Sequence, residues 1–216
     1  MTNFFPSTEN QRNSLPDEIA HYILNKIFTG KLELGTRLIE SNIARELNVS
    51  NIPVREAFYI LQSTGIVERL PRRGVRVKAF SKEEINDYTV ALIELYQIAI
   101  SYSVPHWNEE HRLNIKNLLI EAKEKLSQDK IDEYISKCDR ISAYIFKVAG
   151  NKVFLKFYSE ITYITTAYCQ SIWNDPNKTK IWHSNIEAAV NALIQSDFEQ
   201  ATIQLELLAK QALLVQ

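Results

Sequence analysis

Between residues 50 and 76 the chain sets out side chains whose chemistry suits the edges and phosphates of a nucleic-acid duplex. Ser50-Asn51-Ile52-Pro53-Val54-Arg55 offers a hydroxyl, a carboxamide, a branched apolar group and a guanidinium in quick succession. Each has a matching partner on a base edge. Arginine donates two parallel bonds to O6 and N7 of guanine, asparagine pairs with adenine, and isoleucine packs on a thymine methyl. Ser50, with the backbone amides around it, suits a phosphate or a base edge. Farther on, Arg72-Arg73-Gly74 puts two cations on a tight turn, a combination fitted to a narrow, electronegative minor groove or its phosphates. Arg45 and Arg37 are weaker phosphate candidates.

The elements that must carry these groups are legible around them. Ser14-Leu15-Pro16-Asp17-Glu18 is a helix start, with proline in the first turn and acids where the helix dipole favours them. That helix runs with Ile19, Ile23, Leu24 and Ile27 on one face and stops before Gly30. Ser41 to Leu47 is a short helix ended by Asn48, which tolerates a left-handed conformation. Ser50 caps the next, Pro53 sits harmlessly in its first turn, and Val54, Ala57, Phe58 and Leu61 face inward. Gly65 to Val77 reads as two short strands with a basic tip. A helix N-terminus aimed at a groove beside a cationic hairpin is the plan of a winged helix-turn-helix.

From residue 82 onward the pattern is helical throughout, in segments near 82–104, 110–127, 130–149, 152–173, 177–195 and 197–214. Pro105, Ser127-Gln128-Asp129, Gly150-Asn151, Asn174-Asp175-Pro176 and Ser196-Asp197 separate them. With no strand pattern in this half, the expected fold class is mainly α: an N-terminal winged helix-turn-helix domain followed by an all-α antiparallel helical bundle. The expected division is a disordered tail over 1–13, a DNA-binding domain over 14–79 and a helical domain over 82–216. Charge follows that division. Residues 1–80 carry 11 Lys/Arg against 8 Asp/Glu, and residues 81–216 carry 14 against 18, so +3 stands beside −4.

Other functions find little support. No apolar run approaches a membrane span and Met1 to Pro6 lacks the start of a secretory signal, so a cytoplasmic protein is expected. Cys138 and Cys169 have neither metal nor redox spacing and read as reduced thiols. There is no glycine-rich phosphate loop, no metal-spaced histidine pair and no nucleophile triad; His21, His106, His111 and His183 are scattered. An enzyme is not expected.

Leu15 to Val77 resembles the winged-helix domain of GntR-family transcription regulators. The likeness is carried by Val49-Ser50, Pro53-Val54-Arg55-Glu56-Ala57-Phe58, Leu61, Gly65-Ile66-Val67 and Arg72-Arg73-Gly74-Val75-Arg76-Val77. The helical half, with its Val148-Ala149-Gly150-Asn151 break and final Ser196-Asp197 helix pair, is similar to the ligand domain of the FadR-type subgroup. The resemblance implies a homodimer, most simply a repressor, that binds a palindromic operator and responds to a small molecule. It implies that Arg55 contacts DNA. Departures matter too: relatives commonly carry arginine and threonine at Asn51 and Ile52, and often an arginine at Ser41, so the operator is expected to differ in its bases.

In many relatives of that subgroup one Asp and three His hold a metal. The corresponding positions here are Cys138, Ser142, Ile186 and Leu208, none with its family residue. Asp139 lies one place from the usual carboxylate, turned about 100° away on a helix. His183 lies three residues before an expected histidine. No metal and no other cofactor are therefore expected, and with Val90-Ala91 where relatives place an arginine, a carboxylate anchor is missing. The expected effector pocket is Tyr88, Cys138, Ser142, Tyr163, His183 and Ile186, a mostly apolar site for a small organic effector. Aromatics at helical spacing, Tyr96, Tyr144, Tyr168, Trp173 and Trp182 among them, also serve as core or dimer interface. Two alternatives stay open: a helical domain that only dimerises without an effector, and a winged helix that binds protein instead of DNA.

Overall fold

A computed structural model describes residues 14–169 and 175–213. The expected tail over 1–13 and Trp173 lie outside the described residues. The chain forms two compact units, residues 14–81 with 166–169, and residues 82–165 with 175–213, so that the last turn of the helix ending at Tyr168 counts with the first.

In the first unit, α1 (Leu15–Phe28) begins with a reciprocal cap. The Asp17 backbone N–H donates to Ser14 Oγ and the Ser14 N–H donates to Asp17 Oδ2, at 3.4 and 3.0 Å. Two of the helix's orphan amides are thereby satisfied. Ile19, Ala20, Ile23, Leu24, Ile27 and Phe28 supply its buried face. β1 (Arg37–Leu38) leads into α2 (Glu40–Leu47), which ends on Asn48 at φ 54° and ψ 46°. α3 (Asn51–Ser63) follows and buries Val54, Ala57, Phe58 and Leu61. β2 (Val67–Leu70) and β3 (Gly74–Val77) form the hairpin.

The sheet has three strands in the order β1-β3-β2, all antiparallel. Only the hairpin is visible in the sequence. β1 is two residues long, too short to show alternation, and it exists because Leu38 pairs with Val75 and Arg37 with Arg76. Flanking bonds from Val77 N–H to Thr36 C=O (2.8 Å) and from Gly35 N–H to Val77 C=O (2.9 Å) extend that contact. The wing is thus tied to the chain just ahead of α2.

In the second unit the helices are α4 (Lys82–Ser103), α5 (Glu109–Ser127), α6 (Ile131–Ala149), α7 (Lys152–Tyr168), α8 (Pro176–Ile194) and α9 (Phe198–Leu213). Their ends have local causes. Pro105 sits in a 3₁₀ turn after α4, Asn108 caps α5 through the His111 N–H at 2.9 Å, and Gly150 takes φ 74° after α6. Asp175 caps α8 ahead of Pro176. α5 packs on α6 and α8, and α4 packs on α6 and α9. Ile115, Ile141, Ile145, Phe146, Ile186 and Leu193 are fully buried among them. Burying a Leu- or Ile-sized side chain is worth about 1.5–3 kcal/mol, so this apolar interior holds the bundle closed. Among the described residues no helix is long and apolar enough to cross a membrane.

Candidate nucleic-acid interface

Ser50 caps α3 with φ −76° and ψ 166°, but its hydroxyl makes no bond to the first-turn amides. The amides at this helix start and the hydroxyl remain available to an acceptor outside the protein. Ser50, Asn51, Ile52 and Arg55 are all exposed, with Ile52 67 % exposed. A β-branched apolar side chain standing in water at a helix start does nothing for folding, whereas against a thymine methyl it is buried.

Arg55 is not solitary. Glu40, the first residue of α2, takes Nε at 3.2 Å to each carboxylate oxygen and Nη2 at 2.8 Å. The partner comes from 15 residues upstream, because α2 and α3 pack together. Hydrogen bonding from Arg55, aided by the charges of Arg55 and Arg69, holds the Glu40 carboxyl below the usual carboxylate range. One helical turn beyond Arg55, Tyr59 is 54 % exposed with the Arg69 guanidinium 5.2 Å from its ring centre. Tyr59, Gln62, Ser63 and Arg69 line a shallow hollow of about 480 Å³. Glu40, Tyr59 and Arg69 are the surroundings of Arg55 that sequence reasoning missed, since only the packing of three separate elements unites them.

At the wing, three residues join Leu70 to its partner Gly74. The Arg73 N–H donates to Leu70 C=O at 3.1 Å, Pro71 holds the first corner, and Arg72 takes the second at φ 59°. That is the backbone of a type II turn, whose second corner favours glycine. Gly74 follows at φ +83°, close to the Arg37 guanidinium. Arg76 is neutralised across the strands by Glu68 at 2.7 Å. Arg37, Arg45, Arg72 and Arg73 are exposed and, among the described residues, pair with no carboxylate. The arrangement is an exposed helix start flanked by cations on a hairpin and on α2.

The residues of the expected effector pocket differ in their burial and partners. Cys138, Ser142, Tyr163 and Ile186 are buried, His183 and Tyr88 partly so. Ser142 accepts from Tyr96 at 3.1 Å, and Tyr158, stacked on Phe146 at 4.5 Å, donates to Asp139 at 2.9 Å. Burial pushes the Asp139 carboxyl up to about 6 and the Tyr96 hydroxyl up to about 12. His183 meets Tyr134 at 3.0 Å, the tyrosine that also hydrogen-bonds with Cys138, and burial lowers the histidine's pKa. Ile186 is plain core at 0 % exposure. The side chains do not fit a metal of the family type: Ile186 and Leu208 have no lone pairs, and burial raises the Cys138 thiol far from its thiolate.

Residues 15–77 match the family model for bacterial regulatory proteins of the gntR family. The gluconate operon transcriptional repressor of Bacillus licheniformis is 26% identical over 195 residues, 90% of this chain and 73% of its own. An uncharacterised HTH-type regulator of Agrobacterium vitis is 41% identical over 75 residues, 33% of this chain and 44% of its own. Among solved structures, McbR/YncC of Escherichia coli superposes with a TM-score of 0.79 at 19% identity, over 93% of this chain and 95% of its own. At that identity the superposition speaks for the fold alone.

Proposed function

From a chain that carries the winged-helix domain of the GntR family over residues 15–77, we infer a sequence-specific DNA-binding regulator that works as a homodimer on a palindromic operator. One observation carries the reading: Asn51, Ile52 and Arg55 stand exposed at the start of α3 beside a wing whose tip cations are unpaired. The proposed contacts are Asn51, Ile52 and Arg55 on base edges, Ser50 and Arg45 on phosphate, and Arg72 and Arg73 on the minor groove or its phosphates. Two copies are needed because a palindrome presents two half-sites to two recognition helices. Repression is the proposed direction, supported by the Bacillus licheniformis relative's description as an operon repressor.

Residues 14–79 are proposed as the DNA-binding domain and 82–216 as a FadR-type domain that dimerises and senses a small organic effector without a metal. Support for the last point is chemical: hydroxyl, thiol and aromatic groups surround Ser142 and Cys138, where relatives of that subgroup place metal ligands. The site of action is the cytoplasm, where the DNA is.

Selection of duplexes from a random pool tests the core of this reading, with sedimentation of the selected complex. Two chains per duplex are expected on an inverted repeat, with affinity falling steeply as salt rises. Enrichment of no sequence, or one chain per duplex, would count against it.

A further inference from the structure

We propose that Glu40 is the positioning residue for Arg55, fixing the guanidinium so that it reads one base instead of roaming over phosphates. The inference rests on the reading of α3 as the DNA-recognition helix. Glu40 engages Arg55 side-on, through Nε and Nη2. That leaves both hydrogens of Nη1 and one of Nη2, and among the described residues Nη1 has no partner. These remaining hydrogens form the end-on fork that matches O6 and N7 of guanine. The carboxylate thus occupies the edge of the guanidinium that the base does not need.

Its placement argues for this use over a role in folding. The two side chains are 53 % and 29 % exposed, and an ion pair so open to water adds little to stability. An unrestrained arginine at this site has a long, flexible stem and many orientations from which to meet any phosphate. A carboxylate at a DNA-facing surface also repels the backbone it approaches. Glu40 therefore lowers general affinity for DNA while raising discrimination, and Arg69, close enough to act on its charge, offsets part of the repulsion. A residue that merely held α2 against α3 would move both quantities in the same direction.

The test uses the full-length chain and the duplex that it selects from a random pool, together with single-base variants of that duplex and an unrelated one. Arg55→Ala is expected to abolish the preference for the guanine it contacts. Glu40→Ala should weaken that same preference by about tenfold, within the range of one bidentate base contact, while binding the unrelated duplex more tightly than the wild type. Glu40→Gln, which keeps an acceptor, should fall between. Unchanged preference in Glu40→Ala overturns the proposal, and so does an equal loss on every duplex, the mark of a folding role; circular dichroism of each variant identifies that case. Arg55→Ala with an unaltered preference refutes the reading of α3 itself and takes the proposal with it.

Discussion

Replacing Asp139 by Asn should stabilise the helical domain at neutral pH and do nothing at acid pH. Asp139 is partly covered as a residue, but its carboxyl is turned inward to accept from Tyr158, which is 2 % exposed. Burial leaves it protonated up to about pH 6, against an ordinary value of 3.8. Below the lower value both folded and unfolded chains hold the proton, and the site costs nothing. Between the two the folded chain binds more protons than the unfolded one, so stability falls as pH rises. Above the upper value the folded state carries the whole penalty, which at 1.36 kcal/mol per pH unit comes to about 3 kcal/mol. Asn keeps an oxygen for the Tyr158 hydroxyl and never ionises. Urea unfolding of both chains from about pH 4 to about pH 7.5 measures the difference. All three tryptophans, 107, 173 and 182, follow residue 81, so tryptophan fluorescence reports this half of the chain. Ionisations common to both proteins cancel in the difference. A midpoint difference that stays constant across the pH range, or an Asn variant weaker at neutral pH, would refute the assignment.

The proposed division of labour at the DNA surface has its own signature. Arg55→Ala should cost about 1–3 kcal/mol on the selected duplex and little on unrelated DNA. Arg72→Ala with Arg73→Ala should weaken binding to both and flatten the dependence on salt by about two ions; identical salt slopes for the two variants would defeat that division. Elemental analysis of the dialysed protein should find no stoichiometric transition metal, because Ile186 and Leu208 cannot ligate one. One bound metal per chain, lost on substitution of bundle residues, would show that the donors had been misplaced.

Sequence alone was informative wherever a signal is local. The start of α3 follows from Ser50 and Pro53, its inner face from the spacing of Val54, Ala57, Phe58 and Leu61, and the end of α2 from Asn48. The breaks between the bundle helices follow likewise from Gly150, Asp175-Pro176 and Pro105. What escaped depends on residues distant in the chain. β1 has no pattern of its own and takes its conformation from β3. Glu40 looks like an ordinary first-turn acid until α2 and α3 pack and bring Arg55 to it. Asp139 was expected to point away from the position that relatives use, which says only where it is not. That it meets Tyr158 depends on how α7 lies on α6, and no periodicity within α6 contains that information.

The turn at the wing tip has a consequence for the entropy of docking. Arg72 holds a left-handed backbone at φ 59°, a conformation that costs an L-residue about 1–2 kcal/mol and that glycine would adopt freely. Glycine would relax the hairpin, but it would also remove one of the two cations and loosen the loop in the free protein. With Pro71 fixing one corner and the Leu70–Arg73 bond closing the other, the tip is already shaped before any duplex arrives. On the proposed reading, little backbone freedom is then lost when the wing meets a groove. The arginine thus brings its charge on a preorganised backbone, and folding has already met the cost of ordering it.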